Sequence, residues 1–351
     1  MEEPRGLLVV DLAERISSEI RRRKLQPGTQ FMNTAAVARR FKVNGTTANR
    51  ALQLLAQRGI LERRQRSGTF IADPEKRAGA PLRRVYLLIP EKHFKTEGLM
   101  ADGMLLGLQR VLPRAELKVG FLPPDETAAV EEMISEAMRV REPAGFVLFR
   151  SSLATQRMLQ GRGMPAVVVG TLQPSVSGLA SIDRDQTQIG LRLVENLLAR
   201  GARRLAIIMR DQLSPGDHVM LDTALRTAAA AGLSAAHIQV RCLSADFQSA
   251  RAAIGDIVAS SSERVGILCR SHPLALAALS VAESVKEQER APPVALADFY
   301  HRDASEPGCP YMDALLSPER CGEKVGEMLI ELMRKVQPES LHTVIPMELR
   351  V

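Results

Sequence analysis

Residues 34–71 read TAAVARRFKVNGTTANRALQLLAQRGILERRQRSGTFI: a short apolar-periodic segment, a turn at Lys42-Val43-Asn44-Gly45, a longer periodic segment and an arginine-loaded hairpin. That order predicts two helices joined by a tight turn and followed by a two-stranded wing. The second helix should start near Asn44, whose side chain can accept a hydrogen bond from a first-turn N–H. Ala48, Ala51, Leu52 and Leu55 then share one face at helical spacing. Thr46, Thr47, Asn49, Arg50, Gln53 and Gln57 lie outside that stripe, and such side chains pair with base edges and phosphates in a major groove. Gln65-Arg66-Ser67-Gly68 makes a hairpin tip between residues 60–64 and 69–72. Arg63, Arg64 and Arg66 are placed to rest on phosphates or enter a minor groove.

Charge reinforces the reading. Residues 1–84 carry 18 Lys and Arg against 8 Asp and Glu, a net of +10, whereas residues 85–351 carry 29 against 32, a net of −3. The whole positive excess coincides with the helix-turn-helix pattern, which is the electrostatic footprint of phosphate binding rather than of a merely solvated face.

Working outward, Leu8, Leu12, Ile16 and Ile20 predict a helix over about residues 7–24, with Arg21-Arg22-Arg23-Lys24 favouring its negative end and Pro27-Gly28 stopping it. Pro, Gly and charge make residues 74–84 a linker between one domain over 1–73 and another over 85–351. Beyond it, the apolar runs VYLLIP, LKVGFL, GFVLFR and PAVVVG alternate with helical segments at 99–112, 126–140 and 155–161. A second series, LAIIM, HIQVRCL, VGILC and PVALADF, alternates with segments at 186–200, 219–231, 247–260 and 275–285. Continuous apolar strands between helices mean parallel sheets covered on both faces, and two series mean two sheet subdomains, completed by residues 315–336 and 342–350.

No apolar run reaches the roughly 20 residues of a membrane span, and the acidic start MEEPRGLLVVDLAERI does not read as a secretory signal. Cys242, Cys269, Cys309 and Cys321 are scattered without metal-like spacing and read as thiols of a reducing cytoplasm. Walker, GxGxxG, GxSxG and HExxH motifs are absent. Ser271, His272 and Asp298 make a poor triad, because adjacent Ser and His on one turn rarely face each other. Catalysis is not expected. Asp183 and Asp185 read as helix caps before Gln186.

The stretch at 7–72 resembles the winged helix-turn-helix of GntR-family bacterial transcription factors. The likeness lies in Leu25-Gln26-Pro27-Gly28, Thr46-Thr47 with Ala51-Leu52, Leu55 through Arg58-Gly59-Ile60-Leu61, and Ser67-Gly68-Thr69-Phe70-Ile71. The chain departs from the family at Met32-Asn33-Thr34-Ala35, where Pro-Ser-Glu-Arg is usual, at Asn44-Gly45, where Ser-Arg is usual, and at Arg66, which replaces the first wing glycine. With two customary DNA-contacting arginines missing, Arg39, Arg40, Arg50 and the wing arginines become the compensating candidates. The expected DNA contacts are Arg39, Arg40, Asn44, Thr46, Thr47, Asn49, Arg50, Gln53, Arg63, Arg64, Arg66 and Gly68.

The half beyond residue 84 resembles the effector domain of the LacI/GalR family, which has the fold of type 1 periplasmic binding proteins. The matching pieces are Met164 through Gly170, Ile182-Asp183-Arg184-Asp185, Gly190 through Ile208, Ala275-Leu276-Ala277 after VGILC, and Ala297-Asp298. Ligands of open parallel sheets sit beyond the carboxyl ends of the strands. That rule and the resemblance nominate His93, Phe94, Arg150, Arg210, His218, Ser271, His272 and Asp298 as effector contacts. His218 or Met220 stands where the family often has an arginine, before a helix expected at Val219.

The expected class is α/β: an N-terminal winged helix-turn-helix plus a C-terminal, two-subdomain, parallel-sheet domain like the periplasmic binding proteins. The expected function is that of a cytoplasmic, homodimeric, sequence-specific regulator of transcription, by the resemblance a repressor. It would bind double-stranded operator DNA and answer to a small-molecule effector, sugars being among the candidates, with no cofactor, metal or membrane partner. The alternative is a sensor domain without a ligand, serving only dimerisation or protein contact.

Overall fold

A computed structural model describes residues 5–23, 25–26, 28–57, 60–64, 68–71, 82–91, 101–140, 143–286, 291–297, 307–334 and 341–351. His93, Phe94, Asp298, Arg66, most of the linker and the side chain of Arg64 lie outside the described residues. The chain divides into two compact units, residues 1–81 and 82–351.

In the first unit, α1 (Arg5–Arg22), β1 (Gln30–Phe31), α2 (Thr34–Phe41), α3 (Gly45–Gln57), β2 (Leu61–Arg64) and β3 (Gly68–Ile71) follow in order. Two asparagines set the helix starts. The Asn33 side-chain oxygen accepts from Ala36 N–H at 2.9 Å, and that of Asn44 accepts from Thr47 N–H at 2.7 Å. Lys42, in a left-handed conformation at φ 53°, ends α2 and sends its N–H to Ala38 O. Ala48, Ala51, Leu52 and Leu55 are fully buried against Leu12, Ala13 and Ile16 of α1, with Leu61 and Ile71 closing the core from the wing. That burial is the face expected from their spacing.

The wing departs from expectation. It has three antiparallel strands in the order β1-β3-β2 rather than two. Gly28, at φ +81°, turns the chain so that its N–H reaches Ile71 O at 2.9 Å, and Ile71 N–H returns to Thr29 O at 2.8 Å. A two-residue strand carries no alternation to read, so β1 has no sequence signature.

The second unit continues with β4 (Arg84–Pro90), α4 (Ala101–Val111), β5 (Glu116–Leu122), α5 (Glu126–Val140), β6 (Ala144–Phe149), α6 (Leu153–Gly161), β7 (Ala166–Val169) and β8 (Ala180–Arg184). Next come α7 (Gln186–Ala199), β9 (Arg204–Arg210), α8 (Pro215–Ala230), β10 (Ile238–Leu243), α9 (Phe247–Ala259), β11 (Val265–Cys269), α10 (His272–Ser284) and β12 (Val294–Leu296). The chain then forms β13 (Tyr311–Ala314), α11 (Pro318–Met333), β14 (His342–Ile345) and β15 (Met347–Arg350).

These strands make two six-stranded sheets, β14-β8-β7-β6-β4-β5 and β10-β9-β11-β12-β13-β15. All pairings are parallel except β13 with β15. The chain passes between the sheets after β8, after β13 and between β14 and β15. These crossings are cross-tied: Asp185 N–H bonds Ile345 O at 2.9 Å, Leu315 N–H bonds Pro346 O at 3.0 Å, and Met347 N–H bonds the Gln188 side chain at 2.7 Å. Each sheet is buried on both faces, as the apolar runs required, with one cluster on either side of each.

Against the first sheet, α4 and α11 cross backbone to backbone. A Cβ on Gly107 would lie 2.0 Å from Glu319 O, and one on Gly322 would lie 2.1 Å from Met104 O. Neither neighbour is a flexible side chain, so the helices would have to part. Gly322→Ala should therefore lower the stability of the second unit by about 3 kcal/mol, read as a shifted midpoint in denaturant. Gly255→Ala, where the added methyl meets nothing within 4 Å, is the control.

Candidate DNA-reading surface and effector cleft

On α3, Gly45, Thr46, Arg50 and Gln53 are exposed, while Thr47 and Asn49 are half-buried. These positions fall on the side of the helix opposite its buried stripe, so the expected reading face is open to solvent in this unit. Arg39 is also exposed. Asn44 is occupied as a cap. Arg40 is engaged within the unit: its Nε and Nη2 both reach the nearly buried Glu19 carboxylate, which Arg23 also meets at 2.9 Å. Arg40 thus ties α2 to α1. Arg63 donates from Nη1 to Asn49 Oδ1 at 2.9 Å, joining the wing to α3. Gly68 opens β3 at φ +110°, where any side chain would be strained.

Between the two sheets of the second unit lies a cavity of about 1220 Å³. Its walls are the carboxyl ends of β4, β6, β7, β8, β9 and β11, where parallel sheets place their ligands. Ser151, Thr171, Asp183, Gln186 and Ser271 line it with polar groups. Asp183 accepts from Thr171 Oγ1, from Arg184 N–H at 2.8 Å and from Gln186 Nε2 at 3.2 Å. It is a wall residue, whereas Asp185 is the expected cap, accepting from Gln188 N–H at 2.8 Å.

The electrostatic centre of the cleft is Asp217, in the first turn of α8 and fully buried. Its Oδ2 accepts from Ser214 N–H at 2.8 Å, from Ser214 Oγ at 2.9 Å and from Arg150 Nη2 at 3.0 Å. Its Oδ1 accepts from Arg210 Nη1 at 3.1 Å and from Arg270 Nε at 2.5 Å. Burial alone would raise the carboxyl's pKa, but the guanidiniums of Arg270, Arg210 and Arg150 outweigh it and hold the group well below the usual carboxylate range. Arg210 and Arg270 belong to the same lobe as Asp217, whereas Arg150 comes from the end of β6 in the other lobe. The Arg150–Asp217 ion pair therefore spans the cleft. Arg150 makes that reach from a left-handed backbone at φ 45°, a conformation that costs a non-glycine residue about 1–2 kcal/mol.

Of the nominated effector residues, Arg150, Arg210 and Ser271 line the cavity. His218 does not: α8 starts at Pro215, not Val219, and the helical turn places His218 on the exposed side. His272 opens α10 and is likewise not part of the wall. Arg270, Gln186 and Asp217 escaped the sequence reading. Ser214-Pro215-Gly216-Asp217 did carry a signal, since a capping Ser, a proline at the first helical position and an acid three residues after the cap make a capping box.

Residues 8–71 match the family described as "Bacterial regulatory proteins, gntR family". The N-terminal unit is a gntR-family domain. A curated relative, the HTH-type transcriptional regulator GntR of Pseudomonas aeruginosa, is 31% identical over 183 residues, which are 49% of this chain and 51% of that protein. The chain thus spans about half the length of this relative. Among solved structures, the probable maltose operon repressor MalR of Staphylococcus aureus superposes with a TM-score of 0.64 at 16% identity, covering 77% of this chain and 97% of that one. A LacI-family regulatory protein from Chloroflexus aggregans gives 0.64 at 19% identity, covering 76% and 96%. The complex of the regulator CelR with cellobiose gives 0.61 at 18%, covering 88% and 91%. Joined to the gntR-family domain is thus a second unit with the two-lobed fold of the LacI-type regulators.

Removing the Asp217 carboxylate would leave buried guanidiniums without their shared counter-charge. Asp217→Ala should destabilise the second unit by about 3–5 kcal/mol, read as a lowered melting temperature. Because the folded carboxyl titrates below its unfolded value, the stabilisation is complete above about pH 5 and fades as pH falls below about 4. The melting difference between wild type and Asp217→Asn should follow that course.

Proposed function

We propose that the protein is a sequence-specific DNA-binding regulator of transcription, acting in the cytoplasm as a homodimer and controlled by a small polar effector in the cleft of its second unit. The observation that carries this reading is the open polar face of α3, with Thr46, Arg50 and Gln53 exposed inside the basic segment of a gntR-family domain. A dimer would read a pseudo-palindromic operator, each head taking one half-site. The cleft is lined by hydroxyls, amides and carboxylates suited to a polyol, and the similar fold of CelR is that of a cellobiose complex. Effector binding would act by favouring one opening of the lobes over another, through different affinity for the two.

One observation favours a second reading. Three arginines of the cleft, Arg150, Arg210 and Arg270, are gathered on the protein's own Asp217, which ties the lobes together. A sensor locked in this way would serve only dimerisation or protein contact. A melting screen with neutral sugars, nucleosides and sugar acids separates the two: a rise in the transition of the second unit with one class supports effector control, and no rise at millimolar ligand supports the locked sensor.

DNA affinity of the purified chain should fall steeply with salt, with a log–log slope of several units, as basic side chains displace condensed counterions. Titration of a labelled duplex from 50 to 300 mM salt reads this directly. A flat dependence would overturn the DNA-binding assignment.

A further inference from the structure

In β2 successive side chains alternate between the two faces of the wing. Leu61, two residues before Arg63, is fully buried in the core beside α3. Arg63 therefore projects from the same side of β2 as Leu61, and beyond the core edge it meets α3, where its Nη1 donates to Asn49 Oδ1. Asn49 shares a helical stripe with Thr46 and Gln53, three residues before and four after it, both exposed.

A guanidinium has donors and no acceptor, so this contact fixes the orientation of the Asn49 amide. Its oxygen is turned to the wing, and what it can offer outward is its NH₂. An asparagine with both ends available pairs with adenine, accepting from N6 and donating to N7. With its oxygen turned to the wing and already accepting from Arg63, Asn49 leads with its NH₂ donors, beside the further N–H groups of Arg63. In the major groove guanine is the base whose edge carries two acceptors, N7 and O6, and no donor. We propose that Arg63 and Asn49 form one composite reader that specifies guanine at a single base pair of each half-site, Arg63 acting as a specificity-determining residue rather than a phosphate contact. This rests on the DNA-binding reading above.

The test is selection from randomised duplexes with the full chain, followed by affinities of wild type, Arg63→Ala, Asn49→Ala and the double variant on duplexes varied at each selected position. Arg63 is exposed and Asn49 half-buried, and unchanged melting curves confirm that each variant folds. The expected result is guanine at one base pair in wild type and a switch toward adenine there in Arg63→Ala, the discrimination moving on the order of tenfold. Asn49→Ala should lose preference at that same pair, and the double variant should lose no more than Asn49→Ala alone. A uniform loss of affinity in Arg63→Ala, with every base preference kept, would overturn the composite reader, as would changes at different pairs in the two single variants. Failure of the wild-type chain to enrich any sequence overturns the DNA-binding assignment and the composite reader with it.

Discussion

The buried carboxylate of Asp217 is the group on which the second unit depends most. Arginines are gathered there because one carboxylate, two oxygens wide, offers each of them a hydrogen bond that water would otherwise supply. The arrangement also suits α8, whose first turn favours negative charge. Since Arg150 arrives from the other lobe, opening the cleft takes away one of the three guanidiniums that keep Asp217 ionised. Opening the lobes separates charges, and any ligand that enters works against or alongside that attraction.

The N-terminal unit is held by a different economy of polar groups. Asn33 and Asn44 start helices, Glu19 gathers Arg23 and Arg40, and Arg63 clasps Asn49. Several side chains that look like free DNA ligands in sequence are therefore structural in whole or part. The exposed Thr46, Arg50 and Gln53 stand out by contrast.

Much of this was legible where the signal is local. The stripe Ala48, Ala51, Leu52, Leu55 orients α3 unambiguously, and uninterrupted apolar runs such as VYLLIP and VGILC could belong only to strands buried on both faces. Short or mixed elements were not: β1 is two residues long, and β13, Tyr-Met-Asp-Ala, has neither a run nor an alternation to mark it. The site was the hardest to see. Asp217 takes its meaning from residues 67, 7 and 53 positions away, a convergence that only the folded sheets create. Arg270 passed unnoticed beside Ser271, though both stand at the end of one strand.

Residues 342–350 give the first sheet its edge strand β14 and, one proline later, the second sheet its edge strand β15. On the ribosome, neither lobe can be completed until this segment has emerged, whereas the helix-turn-helix head is whole long before. Biogenesis is thus ordered: a nascent chain carries a finished head attached to two lobes that lack an edge. Both lobes wait on the same short segment for their last strand.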